Sequence, residues 1–129
     1  MNKRRLVYIC SPYKGDYLRN TIQAHKYCSF AIEMGYLPIA PHIYFTIFLC
    51  DRIPAERTIG MEMGLQLLEV CEEVWVFGLQ SPSAGMAAEI LRAAELGMPI
   101  RDGWEIVRNN AELSKNVGLK IPEKGGSTK

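Results

Sequence analysis

The chain has 129 residues, of which 48% are hydrophobic and 22% are charged, and its formal net charge is +1. This length and composition predict one globular domain with a sizeable core. The near-neutral charge gives no electrostatic reason to expect a nucleic acid polymer or a membrane surface as a partner. No apolar run is long enough to span a bilayer, and the apolar stretch at residues 6–10 is too short for a signal-peptide core, so we expect a cytoplasmic protein.

The four cysteines lie at wide spacings, and no two of them form a Cys-x-x-Cys pair. His25 and His42 are not arranged with them at metal-ligand spacing. We therefore expect neither a metal site nor a disulfide framework, and we interpret Cys10, Cys28 and Cys71 as small buried hydrophobic residues. Neither a phosphate-binding P-loop nor a complete dinucleotide glycine fingerprint is present, so no cofactor is expected.

The first predicted strand, residues 6–10, is followed by a loop and by a helix over residues 18–34. Gly35 is placed to end that helix. A second strand, residues 36–40, contains Pro38, which favours a position at the sheet edge or at a strand start.

The connection at residues 41–51 is unusually apolar, which indicates a short helix or a flap packed over the sheet. The elements that follow are a helix that Pro54 opens and that reaches about residue 70, a strand at 74–78, a helix at 87–96, a strand at 98–100 and a helix at 104–110. This alternation predicts a small, doubly wound parallel sheet in a three-layer α/β/α arrangement. From about Leu113 the pattern dissolves, so we expect a single domain at residues 1–110 and a flexible C-terminal tail at residues 111–129.

The strongest functional signal lies at residues 74–96, where a buried strand, a loop rich in Ser, Pro and Gly, and an amphipathic helix follow one another. Glu89 is expected in the first turn of this helix. Unpaired N–H groups favour a carboxylate there, so one interpretation is a helix-dipole glutamate. The other is a carboxylate at the mouth of a ligand crevice, because ligands of open α/β sheets bind beyond the carboxyl ends of the strands.

Tyr8 lies on the first strand, which in such sheets is commonly a neighbour of the third across the crevice. A carboxylate at Glu89 can act there as a nucleophile at an anomeric carbon and divide glycosyl transfer into two steps. Tyr8 would hydrogen-bond that carboxylate and hold its rotamer. The alternative for Tyr8 is a strand aromatic packed in the core.

Ser83, Gly85 and the first N–H groups of the helix form a potential anion cradle, to which Arg19 and, less surely, Lys14 can add charge. Ser83 can equally be a plain helix cap, and Arg19 a solvated residue at a helix start.

His42 follows the second strand and is a candidate for contact with a base or a phosphate, or else a residue that hydrogen-bonds a loop. Arg57 and Glu62 lie on or near one helix face. They can point into the crevice, or they can pair at the surface, where such bridges contribute little.

At these residues the sequence resembles the nucleoside 2-deoxyribosyltransferase-like superfamily, including its small uncharacterised phage and bacterial proteins. The matching pieces are VYICSP at residues 7–12 and SAGMAAE at residues 83–89, within a resemblance that covers about residues 6–100. The resemblance implies a flavodoxin-like, Rossmann-like fold and cleavage of an N-glycosidic bond in a deoxynucleoside or its monophosphate. It places the nucleophile at Glu89 and the tyrosine that orients the nucleophile at Tyr8.

Transferases of that superfamily usually carry Asp six residues before the nucleophile, whereas hydrolases of deoxynucleoside 5′-monophosphates carry Ser there, as this chain does at Ser83. This favours a nucleotide hydrolase, since an Asp would repel a phosphate. One departure is Gly64, which stands where the family has an Asp near the sugar and base, with Glu62 the nearest carboxylate. Three hypotheses therefore stand: a hydrolase, a deoxyribosyltransferase, and a protein that binds a nucleotide without turning it over.

The expected ligand is thus a small nucleoside or nucleotide. Besides Ser83, the expected substrate contacts are Ser11, Pro12, Arg19, His42, Arg57, Glu62, Gly85 and Met86. The resemblance also implies a homodimer or a higher homo-oligomer. Residues 43–49 are nearly all apolar at the expected mouth of the crevice, so we expect Tyr44, Phe45 and Phe48 to contribute to an interface close to the site.

Overall fold

The computed structural model describes residues 3–122, which form four strands and six helices. The strands are β1 (Arg5–Cys10), β2 (Tyr36–Ile39), β3 (Glu73–Val76) and β4 (Ile100–Asp102). The helices are α1 (Tyr17–Glu33), α2 (Pro41–Phe45), α3 (Pro54–Leu68), α4 (Ala84–Glu95), α5 (Gly103–Arg108) and α6 (Ala111–Asn116). Among the described residues, none of the helices has the length and apolar character that crossing a membrane requires.

All four strands pair in parallel, in the order β2-β1-β3-β4, which confirms the predicted small doubly wound α/β fold. β1 and β3 lie at the centre, with Tyr8 in register with Val74. β2 is an edge strand with a neighbour on one side only, so Pro38, which has no N–H to donate, is tolerated there. The carboxyl ends of β1 and β3 therefore lie side by side.

The sheet is covered by helices on both faces, because successive side chains of a strand point to opposite sides. Val7 and Ile9 of β1 belong to one core cluster, with residues of α1 and α5. Its centre is aromatic: the Tyr27 and Phe77 rings stack with centroids 3.8 Å apart. Tyr8 and Cys10 belong to the other cluster, with residues of α3 and α4.

α4 begins earlier than the sequence indicated. The Ser83 side chain accepts a hydrogen bond from the Met86 amide and caps the helix, so α4 starts at Ala84 and not at residue 87. Glu89 is therefore its sixth residue, in the second turn, and the first turn of α4 has no acidic residue. The expectation that Glu89 lies in the first turn was wrong, and the helix-dipole interpretation loses its basis because that effect is confined to the first turn.

The end of the chain also differs from the prediction. α6 occupies Ala111–Asn116, and Ser114 and Leu119 are 1% and 6% exposed. Val117 and Ile121 pack against the same core cluster. The expectation of a flexible tail is wrong for residues 111–122, because a helix of six residues is too short to show a hydrophobic period. The rest of that tail, residues 123–129, lies outside the described residues.

Candidate functional site

A cavity of about 260 Å³ lies at the carboxyl end of the sheet, between the end of β1, α2, α3 and the first turns of α4. This is where ligands bind in open parallel sheets, at the point where the strand order reverses. Its walls are partly apolar, from Phe45, Leu49 and Met61, and partly polar, from hydroxyl, carboxyl and imidazole groups. Such a mixture suits a small organic ligand whose orientation is fixed by a few hydrogen bonds.

The centre of the cavity is a pair formed by Tyr8 and Glu89. The Tyr8 hydroxyl donates a hydrogen bond to Glu89 Oε2 over 2.6 Å, and the tyrosine is only 1% exposed. Burial raises the pKa of Glu89, and the hydrogen bond from Tyr8 and the nearby thiol of Cys10 offset this only in part. Burial and the charge of Glu89 raise the pKa of Tyr8 well above its usual range, so Tyr8 remains the donor.

Both interpretations of Tyr8 hold in the folded chain. Its ring belongs to the core cluster on the α3 and α4 side of the sheet, while its hydroxyl reaches Glu89. Because the ring is locked by packing, the hydroxyl is a fixed point that orients the carboxylate within the cavity.

The first turn of α4 forms the cavity wall next to this pair. Ser83, Gly85 and Met86 line the cavity there, and the exposed Lys14 also lines the cavity. The Ser83 oxygen accepts from the Met86 amide over 3.3 Å, so Ser83 is a helix cap. Its hydroxyl proton remains available to a ligand oxygen, since a hydroxyl donates once and accepts twice.

Ser11 and His42 form a second polar contact in the cavity, with the Ser11 hydroxyl 3.2 Å from His42 Nε2. Burial lowers the pKa of His42 to about 4, so its imidazole is neutral at physiological pH. A neutral ring can exchange hydrogen bonds with a base or a hydroxyl, but it brings no positive charge to a phosphate. Of the two ligand contacts expected for His42, the base is the better match.

The α2–α3 connection and the start of α3 contribute charged groups to the opposite wall. Arg57 Nε lies 3.6 Å from Asp51 Oδ1, and the Cys50 amide donates to Glu56 Oε1 over 2.6 Å. Asp51 and Glu56 both line the cavity, and the sequence had not singled them out. The one available signal was the acidic residue in the first turn of α3.

The structure brings most of the expected site residues together. Those that line the cavity are Tyr8, Ser11, His42, Arg57, Ser83, Gly85, Met86 and Glu89. Pro12, Arg19 and Glu62 do not line it. Arg19 is exposed near the start of α1. Glu62 is exposed on α3, whose cavity face carries Gly60 and Gly64. Since Glu62 is two positions from each glycine, its side chain lies off that face.

Fold and site together define a small α/β protein in which a buried tyrosine holds a glutamate in a ligand-sized cavity. Residues 5–103 match the family described as Domain of unknown function (DUF7768), and the chain belongs to that family. None of the curated proteins matches the chain. Since the family description names no activity, the function is a matter for proposal.

Proposed function

We propose that the protein hydrolyses the N-glycosidic bond of a nucleoside 5′-monophosphate, with Glu89 as the nucleophile. The observation that carries the proposal is the 2.6 Å hydrogen bond from Tyr8 to Glu89 inside the cavity. A carboxylate that is held by one buried donor and faces a ligand-sized space is suited to attack on carbon. The resemblance to the nucleoside 2-deoxyribosyltransferase-like superfamily supports the same assignment.

In the first step, a carboxylate oxygen of Glu89 attacks C1′ of the sugar as the C1′–N bond breaks, and the base leaves as its anion, which takes up a proton from water. This gives a covalent glycosyl–enzyme. In the second step, water attacks C1′ and gives up a proton to the solvent, the bond to Glu89 breaks to return the carboxylate, and the sugar 5-phosphate is released. Tyr8 contributes by orienting the carboxylate in the first step and by stabilising it again as a leaving group in the second.

The phosphate would lie at the N-terminus of α4. Helix N-terminal N–H groups attract anions, and α4 has twelve residues, so its dipole is well developed. Ser83 and Lys14 both line the cavity. A serine can donate to a phosphate oxygen, whereas an aspartate would repel it.

Binding without turnover is the second candidate, and Gly64 is the observation that favours it. The family resemblance places a carboxylate at that position, and here there is none. Two other carboxylates of the cavity wall, Asp51 and Glu56, are held by Arg57 and by the Cys50 amide. If neither of them assists the departing base, the chain would hold a nucleotide without cleaving it.

The deciding experiment is incubation with a panel of nucleoside and deoxynucleoside 5′-monophosphates, followed by chromatography for free base. A parallel arm adds a second free base, because a deoxyribosyltransferase would form a new nucleoside and a hydrolase would form sugar phosphate. Calorimetric binding without release of any base would replace the hydrolase proposal with the binding protein.

We also propose that a second copy of the chain covers the apolar surface beside the cavity. Tyr44, Ile47 and Phe48 are 55%, 72% and 63% exposed, and the Tyr44 and Phe48 rings are in contact with centroids 5.2 Å apart. Phe45 differs from them, since it lines the cavity. An exposed patch of this kind is typical of an interaction surface.

Light scattering tests this second proposal. The Ile47→Glu, Phe48→Glu double variant should shift an oligomer to monomer, while Leu91→Glu, at an exposed residue of α4, should not. A wild type that is monomeric at micromolar concentration would refute the proposed interface.

With its four free thiols, the chain also fits the cytoplasmic location that we propose for it.

A further inference from the structure

Gly64 has an unusual place in the cavity. It lies inside helix α3, it is buried, and it faces the Tyr8–Glu89 pair. A methyl group added at Gly64 would be 3.5 Å from the Tyr8 hydroxyl oxygen and 3.9 Å from Pro41 Cβ. Both distances are ordinary van der Waals contacts, so alanine would fit.

Folding alone does not call for glycine at this position. Glycine is among the least favourable residues in a helix interior, and alanine is the most favourable. Gly64 does not have the positive φ that would exclude a side chain, and it makes no approach to the backbone that a methyl group would block. What its missing side chain provides is a methyl-sized space next to the hydroxyl that holds the nucleophile.

The stereochemistry of the proposed reaction indicates what fills that space. Glu89 must attack C1′ from the face opposite the base, which leaves from the other side. Within the sugar ring, C1′ is bonded to the ring oxygen and to C2′. The ring oxygen carries no substituent, so the sugar substituent next to the attacked carbon is the one on C2′. In a ribonucleotide the 2′-hydroxyl lies on the attacked face, in a 2′-deoxyribonucleotide it is missing, and in an arabinonucleotide it lies on the face of the base.

We infer that Gly64 leaves room for the 2′-hydroxyl of ribose, so that ribonucleoside 5′-monophosphates are substrates. This inference rests on the proposed function. A hydroxyl is about as large as the methyl group that alanine would place there. The Tyr8 hydroxyl donates its one hydrogen bond to Glu89. Its oxygen retains lone pairs that can accept a hydrogen bond from the 2′-hydroxyl. The reaction is the one above, with a ribose 5-phosphate as the product.

The test compares ribo-, 2′-deoxyribo- and arabinonucleoside 5′-monophosphates of the same base in wild type, Gly64→Ala and Gly60→Ala. Gly60 is the matched control, since it lines the cavity one turn away and its added methyl group would contact Leu49 at 3.6 Å and not Tyr8. We expect Gly64→Ala to lower the ribo-to-deoxyribo ratio of kcat/KM by about tenfold or more, because the added methyl group would occupy the space that the 2′-hydroxyl needs, and one such group in a pocket is worth about this factor. The arabino-to-deoxyribo ratio should stay constant, and Gly60→Ala should leave both ratios unchanged.

The outcomes separate this inference from the function on which it rests. A wild type that cleaves only the deoxyribo series, or a Gly64→Ala variant with an unchanged ribo-to-deoxyribo ratio, overturns the inference and leaves the hydrolase in place. If no series releases base, the hydrolase fails, and calorimetry with the same three sugars decides the inference. A loss of ribonucleotide affinity confined to Gly64→Ala supports the inference. It is overturned if Gly64→Ala binds the ribonucleotide as tightly as wild type does, or if wild type does not bind the ribonucleotide. Thermal melting confirms that Gly64→Ala is folded.

Discussion

Two glutamates at opposite ends of the parallel sheet are in contrasting environments. Glu73 begins β3 at its amino end and is 5% exposed. Its carboxylate accepts from Trp75 Nε1 over 2.6 Å, from Arg5 Nε over 3.1 Å and from an Arg101 guanidinium nitrogen over 3.3 Å. Glu89 lies beyond the carboxyl end of the same sheet, and Tyr8 is its close donor.

The pKa values of the two carboxyl groups move in opposite directions for this reason. Burial raises both, but at Glu73 the hydrogen bonds from Trp75, Arg5 and Arg101 outweigh it, and the pKa falls below its usual range. At Glu89 the burial effect wins, and the pKa rises. A carboxylate that accepts three hydrogen bonds from its own chain stabilises the fold, whereas one with a single close donor in a cavity is available for chemistry.

The largest expected effect is at the cavity end. Glu89→Gln should lower base release by at least about 10³-fold, since an amide of the same shape is a poor nucleophile. The melting temperature should hold or rise, because a buried charge is removed. The matched control is Glu62→Gln, which changes an exposed carboxylate of α3 outside the cavity and should leave turnover unchanged. Unchanged turnover in Glu89→Gln would remove Glu89 from the mechanism.

The opposite result is expected at the other end of the sheet. Glu73→Gln should reduce the free energy of unfolding by about 1–2 kcal/mol, a modest figure because Arg5 and Arg101 are half exposed and water weakens their share. The turnover of the folded fraction should stay the same. Urea unfolding beside an activity assay measures both, and a variant as stable as wild type would show that the cluster is not structural.

The pH dependence sharpens that prediction. A carboxyl group whose pKa is lowered by folding stabilises the protein above the pH at which the unfolded group titrates, and the stabilisation is lost as the pH falls. The stability difference between wild type and Glu73→Gln should therefore shrink on the acid side. A difference that is constant with pH would contradict this account.

The sequence placed Tyr8 and Glu89 correctly at one crevice, because a strand, a loop and a helix start each carry a local signal. It did not reveal Asp51 and Glu56. Asp51 lies in the α2–α3 connection and Glu56 in the first turn of α3, and both line the cavity. No periodicity in the sequence records which residues of such a connection and first turn reach a cavity. Glu62 was wrongly expected at the site because the rotation of α3 is set by tertiary packing, which turns Gly64 toward Tyr8 and Gly60 toward Leu49.

The same reasoning explains the errors at α4 and α6. The Ser83 cap extends α4 by three residues into a segment whose Ser, Pro and Gly content resembles a loop. α6 has too few residues for a period, and Leu119 and Ile121 beyond it are recognisable as core residues only once their contacts are known. At α4 the missing information was a local cap, and at α6 it was the tertiary packing of the end of the chain.

A smaller effect is expected at Ser83. Ser83→Asp should weaken the binding of monophosphates by about tenfold relative to free nucleosides, since one nearby like charge in a partly exposed site has this order of energy. Ser83→Asn is the matched control, because Asn caps a helix as well as Asp does but carries no charge. Calorimetry with a nucleoside and its monophosphate gives the ratio, and an equal loss for both ligands would show that Ser83 is only a cap.

The smallest expected effect concerns the position of the pH profile. The hydrogen bond from Tyr8 lowers the pKa of Glu89 against the effect of burial, so Tyr8→Phe should raise that pKa further. The nucleophile must be ionised, and activity is lost as the pH falls through its pKa, so the acid limb of kcat/KM should move to higher pH. Tyr27→Phe, at a buried tyrosine on the opposite face of the sheet, should leave the limb in place. An acid limb that is unmoved in Tyr8→Phe would mean that the tyrosine packs beside Glu89 without tuning its charge, and that burial alone sets the raised pKa of Glu89.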